Sequence, residues 1–402
     1  MAALVRRLGA EHFDLAEDAV QDALVQALRR WPFHGVPPAP GAWLFAAARH
    51  RTIDRLRRAR RGAEAERLAG LDWAEGAAPD AAHDSLALLL FCSHPALSAE
   101  SAIALTLHTV GGFSAGEIAR GLLQAEATVA QRLVRVKRQL RAMKAEFDDG
   151  VRDGALAGRH DRVLTVLHQL FTQGHAAASG DAVVRTDICR EALRLVRLVT
   201  DHPEGDTPPA NALAALIALQ SARAPTRADA EGDVVLLPEQ DRSRWDRGLM
   251  AIGFRHLERA ARGPVLTRYH LEAQVAALHT AAPSFEATDW PAILAAYDRL
   301  QSVSPGSITA LNRAVAVAMV HGPAAALEAL APSHADPAVA NYPWLHAVTG
   351  WLRERAGELR AAALDYATAA ALSRNEAQQR LLLRLARSLD ERADAATRPA
   401  AR

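Results

Sequence analysis

The stretch from Gly112 to Lys144, GFSAGEIARGLLQAEATVAQRLVRVKRQLRAMK, constrains this chain more than any other. Its spacing predicts a short helix from Ser114, a break at Gln124-Ala125 and a longer helix opening at Glu126, which is the layout of a helix-turn-helix. On the second helix Val129, Leu133, Val136 and Leu140 recur at helical spacing and form one apolar stripe. At roughly 100° per residue, Thr128, Gln131, Arg135 and Arg138 point away from that stripe, with Arg132 at its edge. Amide and guanidinium groups on such a row suit base edges and phosphates in a major groove. The same spacing also suits an ordinary amphipathic helix with a solvated basic face.

The rest of the chain shares this helical rhythm. Half of its 402 residues are apolar, and long windows carry helical spacing with few β-branched runs, so the expected fold class is all-α, in two or three domains. Net charge is only +1, and residues 1–150 hold 19 Lys+Arg against 18 Asp+Glu, so any nucleic-acid signal must come from local clustering. Two cysteines, Cys92 and Cys189, give no disulfide framework and suit a reducing cytoplasm. No long uncharged apolar run or signal peptide is present, so the expected location is cytoplasmic, with no membrane partner.

Local clustering is pronounced near the start. Residues 10–25 carry Glu11, Asp14, Glu17, Asp18 and Asp22 without a single Lys or Arg, either a docking face for a basic partner or a solvated helix face. A proline-rich segment follows, WPFHGVPPAPG from Trp31 to Gly41, whose four prolines and two glycines are expected to exclude helix. There Trp31, Phe33 and His34 either offer stacking surfaces for an unpaired base or anchor the loop by burial. In the helix expected next, Phe45, Ile53 and Leu56 face one side and Arg51, Arg55 and Arg58 the other. Seven arginines between positions 49 and 61, with Asp54 as the lone counter-charge, indicate a surface that tracks phosphates. Residues 62–83 lose apolar periodicity and read as a flexible linker that lets two basic modules sit on separate stretches of nucleic acid.

The runs LAEDAVQDAL, WP with its Pro/Gly loop, WLFAAARHRTIDRLRR and FCSHPALSAESAIALTLHTVGGFSAGEIARGLLQAEATVAQRLVRVKRQLR together resemble regions two and four of an RNA polymerase sigma factor. The resemblance is greatest to the extracytoplasmic-function group, in the subgroup with a long C-terminal extension. It continues through LHQLFTQGHAAASGD, RTDICREALRLVRLV, QDRSRWD (Gln240–Asp246), TDW (Thr288–Trp290) and LNRAVAVAMVHGP, from Leu311 onward. It implies region two over 1–61, a linker over 62–83, region four over 84–147 and a regulatory helical extension over 148–402.

The roles below are implied by that resemblance. Asp18, Gln21 and Asp22 would dock on the clamp helices of core RNA polymerase. The loop from Phe33 to Pro40, with His34, would capture a flipped base of the minus-ten element of promoter DNA, and Arg49, Arg51, Arg55 and Arg58 would help melt and hold the strand. Thr128, Gln131, Arg132, Arg135 and Arg138 would read the minus-thirty-five element as duplex. The chain opens at MAALVRRLGAEHF, without most of the first helix that the resemblance places before this point, and shows Cys92, Ser93, Ser85 and Ala87 where the family has cysteines and arginines before His94-Pro95. Packing of Cys92 and His94 is therefore expected rather than a metal site.

In the extension, Gly322 and Gly357 each precede an Ala-rich helix and lie 35 residues apart, close to the tetratricopeptide period of about 34, which suggests an array that takes a protein or peptide partner. No Gly-rich phosphate loop, HExxH, GxSxG or paired-cysteine motif occurs, so neither an enzyme nor a cofactor is expected. The dense polar run Asp241, Arg242, Arg244, Asp246 reads as a salt-bridged helix N-terminus packed by Trp245. The expected function is that of a sigma factor. The alternative is a helix-turn-helix regulator on a tetratricopeptide-like scaffold that acts without replacing one.

Overall fold

Local capping chemistry sets where the helices start. Ser98 Oγ accepts from the Ser101 amide at 3.2 Å, and Ser114 and Glu117 form a reciprocal pair, Ser114 N to Glu117 Oε2 at 2.9 Å and Glu117 N to Ser114 Oγ at 3.2 Å. Each satisfies amides that the first helical turn leaves without acceptors. The computed structural model describes residues 1–9, 12–58, 81–122, 124–143, 156–175, 183–337 and 339–397. Among them the fold is all-α, with a lone bridge between Ala228 and Val234 and no strand. Among the described residues, no helix is long and apolar enough to cross a membrane.

The chain divides into two compact units, Met1–Val166 and Leu167–Arg402. In the first unit run α1 (Ala2–Leu8), α2 (Phe13–His34), α3 (Pro40–Arg58), α4 (Ala81–Cys92), α5 (Ala99–Thr109), α6 (Ala115–Gly121) and α7 (Glu126–Met143). Helix α2 buries Ala16, Ala19, Ala23 and Ala27, small residues that let α3 pack closely on it. The core is shared between the two ends of this unit. Phe13 and Ala16 of α2, Phe91 of α4, Leu105 of α5 and Val136 and Leu140 of α7 belong to one buried cluster, and the Phe13 and Phe91 rings stack at 5.7 Å. The segments expected to be separate modules thus close on one another. The unit also runs past residue 147: Arg159 and Arg162 donate to the carbonyls of Leu90 and His94 at 3.0 and 2.8 Å, satisfying the C-terminal end of α4.

One sequence expectation is corrected here. The segment Trp31–Gly41 is helical at both ends, because α2 continues to His34 with Pro32 inside it and α3 already opens at Pro40, and residues 35–39 alone lie outside helix. Pro32 falls in the last turn, where a missing amide costs one hydrogen bond and the helix then ends at Gly35 (φ +77°), whose N–H closes on the Trp31 carbonyl at 2.9 Å. Pro40 occupies a helix start, where no amide donor is needed. The linker expected over 62–83 lies outside the described residues except for its end, Ala81–His83, which belongs to α4.

Helix α8 (His160–His175) spans the division. The second unit continues with α9 (Thr186–Asp201), α10 (Pro208–Ala222), α11 (Arg247–Ala260), α12 (Arg268–Ala281), α13 (Trp290–Val303), α14 (Ser307–His321), α15 (Pro323–His334), α16 (Pro343–Arg355), α17 (Leu359–Leu372) and α18 (Glu376–Thr397). Helices adjacent in sequence pack on each other along this series. At its start α10 is buried on every side from Ala210 to Leu219. Helix α11 packs directly on it at Gly253, where an added Cβ would sit 2.5 Å from Leu219 Cγ. Gly322 (φ +90°) and Gly357 (φ +85°) make the turns before α15 and α17, at the 35-residue spacing seen in the sequence.

Candidate nucleic-acid interface

Helix α7 carries the expected division of faces. Val129, Leu133, Val136 and Leu140 are buried, and Thr128, Gln131, Arg135 and Arg138 are exposed. Arg132 differs from its neighbours. Its guanidinium donates to Gln124 Oε1 at 2.6 Å and to Glu100 Oε2 at 2.9 Å, so it fastens the turn between α6 and α7. Val134, 68% exposed, falls on the same stripe as Gln131, Arg135 and Arg138 and had no place in the sequence reading. An exposed apolar side chain between hydrogen-bond donors suits a thymine methyl group beside base-edge acceptors.

On α2, Asp18 and Asp22 do not stand free. Arg55 of α3 donates to both, at 2.5 and 3.0 Å, and its hydrogen bond to Asp18, opposed by desolvation, raises the guanidinium pKa above its usual value. Acidic residues expected to meet polymerase and an arginine expected to meet DNA therefore share one ion-pair cluster. Gln21 is exposed. Along the same helix Leu24, Val25 and Leu28 are exposed, Leu28 at 75%. This apolar row lies on the side of α2 away from the buried Ala16–Ala19–Ala23–Ala27 stripe.

At the ends of α2 and α3 the aromatic groups separate. Trp31 packs edge-on to Trp43 with centroids 5.6 Å apart, so it anchors the turn. Phe33 is 84% exposed, and His34 is exposed with its Nδ1 at 3.1 Å from the Arg30 carbonyl. Both sit on the last turn of α2 rather than in a loop. Beside them a cleft of about 390 Å³ is lined by Arg30, Trp43, His50, Arg51 and Asp54. Trp43 thus lines one cleft with Arg30 and Arg51, an aromatic group and two cations that suit stacking of an unpaired base with phosphate contacts. Arg49 is half-buried, with Nη2 3.5 Å from His50 Nε2, and the side chain of Arg58 lies outside the described residues.

The two surfaces are fastened to each other through Glu17. Its carboxylate accepts from Lys137 Nζ of α7 and from His108 Nε2 of α5 at 3.1 Å. The other ring nitrogen of His108, Nδ1, lies 2.8 Å from the Phe113 carbonyl. Carboxylate and carbonyl only accept, so both ring nitrogens carry protons and the ring is a cation. The hydrogen bond to Glu17 accordingly raises the His108 pKa, against burial. Burial opposes ionisation of Glu17, but the hydrogen bonds from His108 and Lys137 outweigh it and hold the carboxyl below its ordinary value.

Cys92 is fully buried, its thiol pushed up to about 12 by burial, and the His94 ring accepts from the Ala96 amide at 3.1 Å. In the second unit the polar run expected to be salt-bridged is organised otherwise. Asp241 and Asp246 cap helix starts, Arg242 donates to the Ala282 carbonyl at 2.8 Å, and Trp245 is buried between Arg242 and Arg223, whose guanidinium carbons lie 4.8 and 5.5 Å from its ring.

Sigma-70 region 2 matches residues 1–62, and a family of unknown function, DUF6596, matches residues 159–261. An uncharacterized protein of Rhizobium meliloti (strain 1021) is 37% identical over 389 residues, covering 94% of this chain and 90% of that protein. No solved structure matches.

Proposed function

We propose, from the premise that the chain belongs to the family of that Rhizobium meliloti protein and carries a Sigma-70 region 2 at its N-terminal end, that it is a sigma factor of the extracytoplasmic-function group, directing promoter-specific initiation by core RNA polymerase. The observation that carries this reading is the match of region two to α1–α3, the part of the chain with the exposed α2 row and the aromatic, cationic cleft. On this reading Gln21, Leu24, Val25 and Leu28 meet a polymerase surface, joined by Asp18 and Asp22 when Arg55 releases them. The cleft of Arg51, Trp43 and Arg30, with Phe33 and His34 at its side, takes melted minus-ten DNA. Helices α6 and α7 act as a helix-turn-helix on the minus-thirty-five duplex, with Arg135, Arg138, Gln131 and Thr128 toward the groove. The protein then works in the cytoplasm and makes no bond chemistry of its own.

This reading requires the first unit to open. By their names the two promoter elements lie 25 base pairs apart, roughly 85 Å at about 3.4 Å per base pair. A compact body of this unit's length has a radius of gyration of only about 15 Å. Both surfaces cannot reach their elements while α2 and α7 share a core and Glu17 holds Lys137. Polymerase binding must provide the difference in affinity between closed and open arrangements. The second unit, a tetratricopeptide-like array on this reading, regulates that step through a protein or peptide partner. Association of the full chain with purified core polymerase, measured by fluorescence anisotropy, tests the proposal: saturable binding is expected, and duplex DNA binding of equal strength with and without polymerase would refute it.

A further inference from the structure

Among the described residues, two arginines of the second unit have no carboxylate partner. Arg223 and Arg227 are largely buried, and among the described residues neither makes an ion pair. Arg223 donates to Gln240 Oε1 at 3.3 Å and to Gln220 Oε1 at 3.2 Å, and Arg227 to the His175 carbonyl at 2.6 Å and its ring at 3.1 Å. Desolvation, with the neighbouring guanidiniums adding to it, pushes Arg223 down to about 9, and desolvation takes Arg227 to about 10. Enclosing positive charge without a counter-ion is costly and calls for an external anion.

Two of the hydrogen-bond partners of these arginines, Gln220 and His175, open onto one cavity. It measures about 630 Å³, within the range of small-ligand pockets, and Gln220 and His175 line it beside Phe171 and Leu216. A guanidinium only donates, so Arg223 fixes the oxygen of Gln220 toward itself and leaves the amide –NH₂ without that partner. Arg227 Nη1 lies 3.1 Å from both ring nitrogens of His175, and burial and the two arginines keep that ring neutral, with one N–H donor and one acceptor nitrogen. Each of these donors is polarised by the charge behind it. The first turn of α14, Ser307–Thr309, lines the same cavity, and its amides lack intrahelical acceptors. Two carboxylates also line it, but each is engaged: Glu272 by His168 at 2.8 Å and Arg268 at 3.0 Å, and Asp336 by the Ser307 hydroxyl.

We propose that the second unit binds a small ligand by an oxyanion group, phosphate or carboxylate, seated on Gln220 and His175, with its apolar body against Phe171 and Leu216. The C-terminal extension is on this account a small-molecule receptor, a role beyond the protein-binding array of the preceding reading and independent of its polymerase partner.

Thermal unfolding of the intact chain tests this without polymerase or DNA, using phenyl phosphate and benzoate as probes and sodium chloride at matched ionic strength as the reference. A saturable rise in Tm with one probe or both is expected, and which of them acts identifies the head group. Gln220→Glu places a carboxylate where the amide oxygen already meets Arg223. It is expected to melt higher than the parent without probe and to bind the effective probe at least tenfold more weakly. Gln220→Leu, which removes the donor and adds no charge, must also lose the response and serves if the first variant fails to fold. No rise beyond chloride with either probe, or an equal rise in parent and variants, overturns the proposal.

Discussion

Replacing Glu17 by Gln keeps the side chain's size and removes the charge that holds Lys137 and the His108 cation. Removing one partner of a buried ion pair costs about 3–5 kcal/mol, because the other charge is left uncompensated. Glu17 and Lys137 are 14% and 16% exposed, which places the loss near the lower bound, about 3 kcal/mol. At about 1.4 kcal/mol per decade, that is a change of roughly 100-fold in the opening equilibrium. Hydrogen exchange of intact protein, read on peptides from α7, is the assay, since exchange of buried amides reports local opening. Amides between Val129 and Leu140 are expected to exchange about 100-fold faster in Glu17→Gln, while α10 in the other unit is unchanged. The pH dependence has a definite sign. The His108 pKa is raised, so its contribution is complete below its unfolded value of about 6.5 and is lost as pH rises through the folded value. Parent α7 should therefore lose protection, corrected for intrinsic exchange, as pH rises through that window, and Glu17→Gln should not. Unchanged protection in the variant would refute the latch.

Arg135→Ala and Arg138→Ala should each weaken promoter binding of the polymerase complex by about 1–3 kcal/mol if they contact base edges, measured by competition between promoter and scrambled duplex, with equal loss on both marking phosphate contacts instead. Charge reversal of Asp18 and Asp22 should abolish polymerase association, whereas Arg55→Ala, which frees both carboxylates, should retain or strengthen it in the same anisotropy assay. Gly253→Ala gains about 0.5–1 kcal/mol of helix propensity but drives a methyl into Leu219, at a cost of about 1–3 kcal/mol, so a net loss of about 1 kcal/mol and a Tm lower by roughly 2–4 °C are expected by calorimetry.

Period and capping carried the all-α reading and both faces of α7, because Val129, Leu133, Val136 and Leu140 are set by local geometry that a sequence displays. Trp31–His34 misled because a proline signals a missing amide, and a last turn tolerates that loss. Contacts between distant elements left no such trace. Glu17 and Lys137 are 120 residues apart, and charges on two helices do not announce that they pair. For the same reason Arg55 read as a phosphate ligand and Asp18 as a docking residue, while the fold joins them. The cationic floor beneath Gln220 was equally hidden, since two arginines among 47 basic residues stand out only once the described residues around them are known to hold no paired carboxylate.

Run-off transcription with purified core polymerase and a template library of upstream regions tests the central claim most directly. The account predicts discrete transcripts that require the full chain, that share one minus-ten and one minus-thirty-five element, and that disappear when Leu28 is changed to Asp on the exposed row of α2. A protein that leaves core polymerase silent on every template, yet binds one duplex tightly without it, would contradict the account.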